Sequence, residues 1–284
     1  MENGKKTIIC SDWHIHSDSS YDSTLSLESV DAASRTLNFE NVGITDHVNY
    51  NDEKFLSDLK SSARAVNEFR RMHPNFILGV ELTPIEKPLF DHLRSGGSRE
   101  NYIAPPSSTP YTIELAVSRD ELISLGVSYA IGAAHWRVDS ADARSRTDMG
   151  ECIREWYRQQ LYLACDERVT ILGHPWYHGK GLWYEDFSVI DRSMNEELAA
   201  ALKENGKCVE CNSHFFRSRM TGEKFRRQYA EFLRELFEMG IPVTYGSDSH
   251  NQYKTSAPAD VEKYLEQVGF KHGDLASITD IPLW

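Results

Sequence analysis

This sequence of 284 residues lacks long hydrophobic runs and has few cysteines. No segment approaches the roughly 20 consecutive apolar residues of a membrane-spanning helix, and the opening MENGKKTIIC has no apolar run long enough for a signal peptide. The five cysteines are scattered apart from Cys208 and Cys211, which argues against a disulfide framework. We interpret that pair as buried reduced thiols rather than a redox or zinc pair. These absences predict a cytoplasmic protein that does not bind a membrane.

Positive charge is also scarce, because 31 Lys and Arg stand against 43 Asp and Glu, for a net charge of −12. A surface with this balance is a poor match for nucleic acid, so no nucleic-acid partner is expected. A small anionic substrate remains compatible with it, because bound metal ions and one or two arginines reverse the sign locally.

Short β-branched runs alternate with amphipathic stretches along the chain, which is typical of parallel α/β folds. The predicted strands are TIIC, NVGIT, FILGV, SYAIGAA, VTILG, KCVEC and IPVTYG. The predicted helices cover residues 26–37, 53–71, 149–165, 195–204, 223–239 and 259–267. No repeat, low-complexity tract or linker divides the sequence, so we predict a single domain over residues 1–284.

One connection between predicted strands does not follow this alternation of strands and helices. Residues 84–118 contain SGGS, PPSS and Pro110, which predict an irregular excursion rather than a crossover helix. Loops of that length in compact domains are usually lids or disordered segments.

Nearly every predicted strand ends in a residue that is able to bind metal. In chain order these residues are Asp12, His14, His16, Asp46, His47, Glu81, His135, His174, Asp248 and His250. Because the carboxyl ends of parallel strands meet at one mouth of a barrel, the side chains should converge there. A single histidine of this kind is more often a hydrogen-bonded structural imidazole, but six of the 11 histidines lie at these ends. Acids buried beside them need a neutralising cation.

The local spacing of His14 and His16 supports a shared ion. Two residues apart on an extended segment, their imidazoles point to the same side, and Ile15 points away. Mixed nitrogen and oxygen donors suit zinc, manganese or iron better than magnesium or calcium. The sequence therefore predicts divalent ions as cofactors.

Three motifs carry a resemblance to a known family. DWHIHSDSSYD runs from Asp12 to Asp22, ITDH ends at His47, and GSDSH ends at His250. In this order they resemble the polymerase and histidinol phosphatase (PHP) superfamily. The resemblance implies an α/β fold, a distorted (β/α)7 TIM-like barrel with its metal site at the C-terminal ends of the strands, and a centre of three ions.

The resemblance also implies a ligand set. The first ion would be held by His14, His16, Glu81 and Asp248. Glu81 would bridge to a second ion held by His135 and His174. A third ion would be held by Asp22, His47 and His250. Glu81, Asp248 and His250 would also be catalytic, whereas Asp12 and Asp46 would orient imidazoles.

Hydrolysis of small phosphate monoesters by a metal-activated hydroxide is the natural use of such a centre. Histidinol-phosphate phosphatases look closest within the superfamily, because ECNSHFFR resembles a motif whose arginine binds phosphate. That residue is Arg217, and Arg137 and Arg219 are candidate companions for phosphate recognition or arginines of a solvated rim. The segments LTPIEKP and HWRVDS depart from the usual histidinol-phosphatase continuation, which makes the family assignment firmer than the substrate.

Aromatic side chains follow the fourth and fifth predicted strands. They are Trp136, Trp176, Tyr177, Trp183 and Tyr184. They either line a binding site for an organic moiety or pack within loops.

Three other functions compete with the phosphatase hypothesis. A PHP-type phosphodiesterase or nuclease is disfavoured by the acidic balance. An amidohydrolase-like C–N hydrolase would usually carry a lysine where Glu81 occupies the bridging position. A metal-binding protein without activity would be expected to have a degraded ligand set, and this sequence has every expected position.

Overall fold

A computed structural model describes residues 6–49, 53–98, 101–103, 112–135, 149–176, 186–219 and 221–281. Its strands are β1 (Ser11–Ile15), β2 (Asn41–Ile44), β3 (His47–Val48), β4 (Phe76–Leu82), β5 (Ile85–Glu86), β6 (Ile113–Glu114), β7 (Tyr129–Gly132), β8 (Ile171–Leu172), β9 (Cys208–Asn212) and β10 (Val243–Gly246). Its helices are α1 (Leu27–Leu37), α2 (Glu53–Phe69), α3 (Lys87–Arg94), α4 (Arg119–Ser124), α5 (Met149–Cys165), α6 (Arg192–Glu204), α7 (Ser213–Arg217), α8 (Glu223–Glu238) and α9 (Ala257–Gln267). Within these ranges no helix is long and apolar enough to cross a membrane.

Seven parallel strands follow one another in the order β1-β2-β4-β7-β8-β9-β10, and β3 adds a second pairing to β4. The ends of this sheet meet where Ile15 forms a parallel bridge with Ser249, three residues beyond β10. There the Asp248 amide donates to His14 O at 2.8 Å, and the His16 amide donates to Ser249 O at 3.0 Å. The prediction of a distorted seven-stranded α/β barrel is confirmed.

Tyr129 of β7 crosses the interior of the barrel. Its hydroxyl donates to Trp13 O at 2.6 Å, although β1 and β7 are not neighbours in the sheet. Gly43 leaves room for this ring, since a Cβ there would lie 1.8 Å from the Tyr129 hydroxyl oxygen. The apolar residues that pack with Tyr129 include Ile131, Ile171 and Cys208, so Cys208 is a buried thiol of the barrel interior.

The helices begin where the sequence offers caps. Ser26 accepts a hydrogen bond from the Ser29 amide at the start of α1, and Asn38 ends that helix in the left-handed conformation. Ser118 and Glu121 form a reciprocal capping box at the start of α4. Each such cap satisfies amides or carbonyls that a helix end leaves unpaired.

The first strand does not lie where the sequence predicted it. TIIC is not a strand, because Glu262 Oε1 accepts from the amides of Ile8 and Ile9 at 2.7 and 2.8 Å. Extended pairing starts instead at Ser11, so that Asp12 and His14 lie within β1 rather than after it.

The predicted excursion over residues 84–118 contains regular elements. β5 pairs with β6 in an antiparallel ladder, and α3 follows β5 directly. Residues 99–100 and 104–111 lie outside the described residues. The single-domain organisation stays a prediction.

Candidate metal centre

The nine predicted ligands lie together at the carboxyl ends of the strands. β1 provides His14 and leads into His16, β3 begins at His47, and β4 carries Glu81. His135, His174 and the pair Asp248 and His250 follow β7, β8 and β10, and Asp22 comes from the loop before α1. The side chains of His14, His16 and Glu81 are fully buried at the floor of this centre.

The first ligand group consists of His14, His16, Glu81 and Asp248. His14 Nε2 lies 3.1 Å from His16 Nε2 and 3.4 Å from Glu81 Oε2. His16 Nε2 lies 3.3 Å from both Glu81 Oε2 and Asp248 Oδ1. Ligands of a tetrahedral zinc ion, at about 2.0–2.1 Å from the metal, are about 3.3 Å from one another. The spacing of these donor atoms therefore suits such an ion.

The second ligand group shares Glu81 with the first. Glu81 Oε1 lies 3.3 Å from His135 Nε2 and 3.1 Å from His174 Nε2. Because Glu81 Oε2 belongs to the first group, the two oxygens of one carboxylate face two different sets of imidazoles.

The third ligand group consists of Asp22, His47 and His250. Asp22 Oδ2 lies 3.3 Å from His47 Nε2 and 3.5 Å from His250 Nε2, and the two imidazole nitrogens are 3.5 Å apart. The other nitrogen of His47, Nδ1, lies 2.8 Å from Glu81 Oε2, so this group adjoins the first.

Glu81 provides a test of whether these residues fit a cation. Its Oε2 is buried and makes no described hydrogen bond, although nitrogens of His14, His16 and His47 lie within 3.4 Å. A buried carboxylate oxygen without a hydrogen bond is costly unless a cation neutralises it. Burial favours its neutral form, but His135, His14 and His47 hold the pKa of Glu81 well below its usual range. The donor set therefore fits divalent metal ions.

The imidazoles are strongly affected by the neighbouring acids. Burial alone would lower the pKa of His14, but the carboxylates of Glu210 and Glu81 raise it well above its usual value. Burial would likewise lower the pKa of His47, whereas Glu81 and Asp22 raise it to about 10. In the metal-free protein near neutral pH, His47 therefore holds a second proton that a metal ion must displace.

Metal binding should consequently release protons. We expect at least one proton per protein from His47, and an apparent affinity that rises about tenfold per pH unit for each proton displaced between pH 6 and 9. Calorimetric titration of metal-free protein in two buffers of different ionisation enthalpy measures this release. Equal binding enthalpies in the two buffers would contradict the expectation.

Glu210 is a buried acid of β9 that was not among the site residues predicted from the sequence. Its Oε1 lies 2.7 Å from His14 Nδ1, and its Oε2 accepts from the His174 amide at 2.6 Å. The signal in the sequence was an acid within the predicted strand KCVEC, where it is costly to bury without a partner.

Asp12 and Asp46 do not orient imidazoles as predicted. Asp12 Oδ1 accepts from the amides of His14 and Ser247, which fastens β1 to the end of β10. Asp46 accepts from the amide and the hydroxyl of Ser17 at 2.6 and 2.7 Å. Both carboxylates thus hold the segments around the centre, and among the described residues neither accepts a hydrogen bond from an imidazole.

A hydrogen-bond chain connects His135 to the rim of the centre. Thr83 Oγ1 donates to Asn49 Oδ1 at 2.7 Å and lies 2.9 Å from His135 Nδ1. Since the single hydroxyl proton of Thr83 is used, its oxygen accepts from His135 Nδ1, which leaves Nε2 for an ion. Asn49 Nδ2 donates in turn to the hydroxyl of Tyr21, whose ring packs 5.5 Å from that of His47.

The backbone is strained at two of the candidate ligands. His174 and Asp248 have φ values of 23° and 54°, in the left-handed region that non-glycine residues rarely adopt. Trp176 has a φ of 64°, and its backbone amide donates a hydrogen bond to Gln160 Oε1 at 2.8 Å. Such strain concentrates at functional sites, where surrounding contacts maintain it.

Arg217 ends α7, the short helix that follows β9. Its Nε lies 3.6 Å from Asp260 Oδ2, and both side chains are partly exposed. His214 is the second residue of this helix. Its amide donates to Asn212 Oδ1 at 2.8 Å, and Asn212 Nδ2 lies 3.3 Å from Asp248 Oδ2. His214 and Arg217 therefore lie on the side of the centre occupied by Asp248.

The other residues predicted to contact the substrate are two arginines and several aromatic residues. Arg219 is exposed, and Arg137 lies outside the described residues. Trp176 is fully buried and stacks against Tyr157 with ring centroids 6.4 Å apart, so it packs in the core rather than lining an opening. The remaining aromatic residues of the prediction, Trp136, Tyr177, Trp183 and Tyr184, also lie outside the described residues.

Comparison with known proteins supports the same family. A curated protein described as a probable phosphatase from Acetivibrio thermocellus is 38% identical over 73 residues, which span 26% of this chain and 29% of that protein. The structure of histidinol phosphate phosphatase from Lactococcus lactis, solved with zinc, L-histidinol and phosphate, superposes with a TM-score of 0.68 at 19% identity. The match covers 96% of this chain and 98% of that one, and it shows a common fold. A family model for the PHP domain matches residues 12–214. This chain belongs to the PHP domain family.

Proposed function

We propose that this protein hydrolyses small phosphate monoesters, with histidinol phosphate as the leading substrate, using three divalent ions of zinc, manganese or iron. The observation that carries the proposal is the sharing of Glu81 between two adjoining ligand groups, with a third group 2.8 Å away through His47 Nδ1. Membership of the PHP family, and the phosphatase names of the two relatives, support it.

We propose the assignment of ligands to ions that the family resemblance implies, and these distances support it. His14, His16, Glu81 and Asp248 would hold one ion, Glu81, His135 and His174 a second, and Asp22, His47 and His250 a third. When bound, ions in such a centre supply an activated water nucleophile and neutralise charge on the phosphoryl oxygens.

The ligands divide into a buried floor and an exposed face. The side chains on the exposed face are those of Asp22 (32% exposed), His250 (25%), His135 (20%) and Asp248 (19%). A phosphoryl group therefore approaches from this face, between Tyr21 on one side and the helix α7 on the other. Of the residues proposed to be catalytic, Asp248 and His250 lie on this exposed face, and Glu81 lies in the buried floor.

Arg217 is proposed to bind the phosphoryl oxygens. Its guanidinium offers paired donors in the geometry that suits phosphate. At 3.6 Å and with partial exposure, its contact with Asp260 is weak enough to be exchanged for a substrate. Arg137 and Arg219 remain proposed companions.

A phosphate-release assay tests the function directly. Purified protein loaded with zinc, manganese or iron is given phosphate monoesters that include histidinol phosphate, together with phosphodiesters, single-stranded DNA and amides. Release of phosphate from monoesters is expected, and it should disappear in His14→Ala. Cleavage of diesters, DNA or amides without any monoester hydrolysis would overturn the proposal.

Replacing Arg217 with methionine should raise KM for a phosphate monoester by about 10- to 100-fold, because one charge-assisted contact is lost. Metal content should not change, since Arg217 is not among the proposed ligands. Steady-state kinetics with metal analysis check both. Arg71→Met is the matched control, because this exposed residue follows the end of α2 that lies opposite the mouth. An unchanged KM in Arg217→Met would remove the residue from substrate binding.

A further inference from the structure

We propose that Glu210 is a positioning residue that fixes the ligands of the first and second groups relative to each other. This inference rests on the metal centre of the proposed function. Glu210 lies on β9 between the strands that deliver His174 and Asp248, and only 1% of it is exposed. Its two carboxylate oxygens contact two different ligand groups.

The first oxygen fixes the imidazole of His14. Glu210 Oε1 lies 2.7 Å from His14 Nδ1, and a carboxylate only accepts, so Nδ1 must carry the proton. The lone pair is then on Nε2, which faces His16 Nε2 at 3.1 Å and Glu81 Oε2 at 3.4 Å. This contact selects the tautomer that a metal ion of the first group requires and makes His14 a stronger donor.

The second oxygen fixes the backbone of His174. Glu210 Oε2 accepts from the His174 amide at 2.6 Å, at the residue whose φ of 23° is strained. His174 Nε2 belongs to the second group, where it lies 3.1 Å from Glu81 Oε1. Glu210 therefore maintains the backbone conformation that aims this imidazole.

Asn212 extends the arrangement to Asp248. Its Nδ2 lies 3.3 Å from Glu210 Oε2 and 3.3 Å from Asp248 Oδ2, so one amide bridges the two carboxylates. Through these contacts Glu210 reaches His14 and Asp248 of the first group and His174 of the second. Within the described ranges, no hydrogen bond joins it to any residue of the third group.

The surroundings of Glu210 leave its carboxylate little freedom. A Cβ on Gly246 would lie 1.9 Å from Glu210 Oε1, so the neighbouring strand reserves space for this oxygen. No lysine or arginine pairs with Glu210 among the described residues, and its ion-pair partner there is His14. The buried charge is therefore directed to the metal centre, where it offsets the charge of bound cations.

Glu210→Gln tests the proposal with almost no change in shape. Glutamine has one carbonyl oxygen, which can accept from His14 Nδ1 or from the His174 amide but not from both. Its NH2 group then faces the remaining donor. Metal-free protein is titrated with zinc against a competing chelator, so that affinity and stoichiometry are obtained for each ion. We expect two of the three ions to bind about 10- to 100-fold more weakly and the third to bind as in the wild type.

Two control variants sharpen this result. Glu235→Gln removes an exposed charge on α8 and should leave all three affinities unchanged. Asp22→Asn should weaken the one ion that Glu210→Gln spares. Wild-type affinities for all three ions in Glu210→Gln would overturn the proposal, as would an equal loss at all three, which would mark a general structural role.

The proposed function and this inference fail in distinguishable ways. Wild-type protein that shows the expected metal pattern but releases no phosphate would remove the phosphatase function and leave the role of Glu210 intact. If Glu210→Gln does not fold, 15N NMR of histidine-labelled, zinc-loaded wild type decides the matter. A protonated Nδ1 and a metal-bound Nε2 are expected for His14, and the opposite tautomer would overturn the proposal.

Discussion

Replacing Glu81 with glutamine should reduce kcat/KM for phosphate monoesters by about 1,000-fold or more and remove metal from the centre. Glu81 is the residue whose two oxygens face separate imidazole sets, at 3.3 Å from His16 Nε2 and 3.1 Å from His174 Nε2. An amide nitrogen in place of either oxygen directs hydrogen atoms at a cation. Loss of several kcal/mol of transition-state stabilisation corresponds to a rate effect of this size.

Two measurements check this expectation on the same preparation. Metal content after dialysis should fall in Glu81→Gln, and phosphate release should fall with it. Glu68→Gln, an exposed glutamate of α2, is the matched control and should retain both. A Glu81→Gln protein with full metal content and near-normal activity would show that Glu81 is not a shared ligand.

Much of the centre was predictable because its ligands follow strands that are easy to locate. NVGIT and IPVTYG are short β-branched runs, and the parallel topology brings whatever follows them to one mouth. His47 and His250 were therefore predicted to lie close together, and in the structure their Nε2 atoms are 3.5 Å apart. The pattern alone was sufficient because strand direction, rather than any detail of side-chain packing, sets this convergence.

Glu210 was not predictable on the same grounds. It lies inside β9 rather than at its end, and its partner His14 comes from a strand 196 residues away in the sequence. Its role depends on which face of the strand is turned inward and on the space at Gly246, and neither follows from composition. Periodicity cannot separate a buried acid that positions a ligand from one that is simply paired.

The position of β1 was also beyond the sequence pattern. Ile8 and Ile9 have the β-branched character of a strand, but their amides are bound by Glu262, more than 250 residues away. A tertiary contact thus overrides local propensity. The consequence for the site is favourable, because placing His14 inside β1 leaves its imidazole fully buried beside Glu210.

Gly246→Ala should damage the centre through packing alone, without removing any ligand. The added Cβ would lie 1.9 Å from Glu210 Oε1 and 2.6 Å from His14 Cβ. The Glu210 carboxylate is fixed by His14 and the His174 amide, and His14 Cβ is close to the β1 backbone, so neither atom moves without breaking a contact. We expect a loss of about 1–3 kcal/mol in the free energy of unfolding of the metal-free protein.

Activity should also fall in this variant, by about 100-fold, because displacing Glu210 and His14 disturbs the metal ligands and the residue that positions them. Urea unfolding of the metal-free protein and phosphate release by the metal-loaded protein separate the two effects. Gly222→Ala is the matched control, since a Cβ at this N-cap of α8 would meet no atom within 4 Å. It should cost under about 1 kcal/mol and leave activity unchanged. If Gly246→Ala lost stability but kept full activity, then the contact between Glu210 and His14 would matter for folding and not for the metal centre.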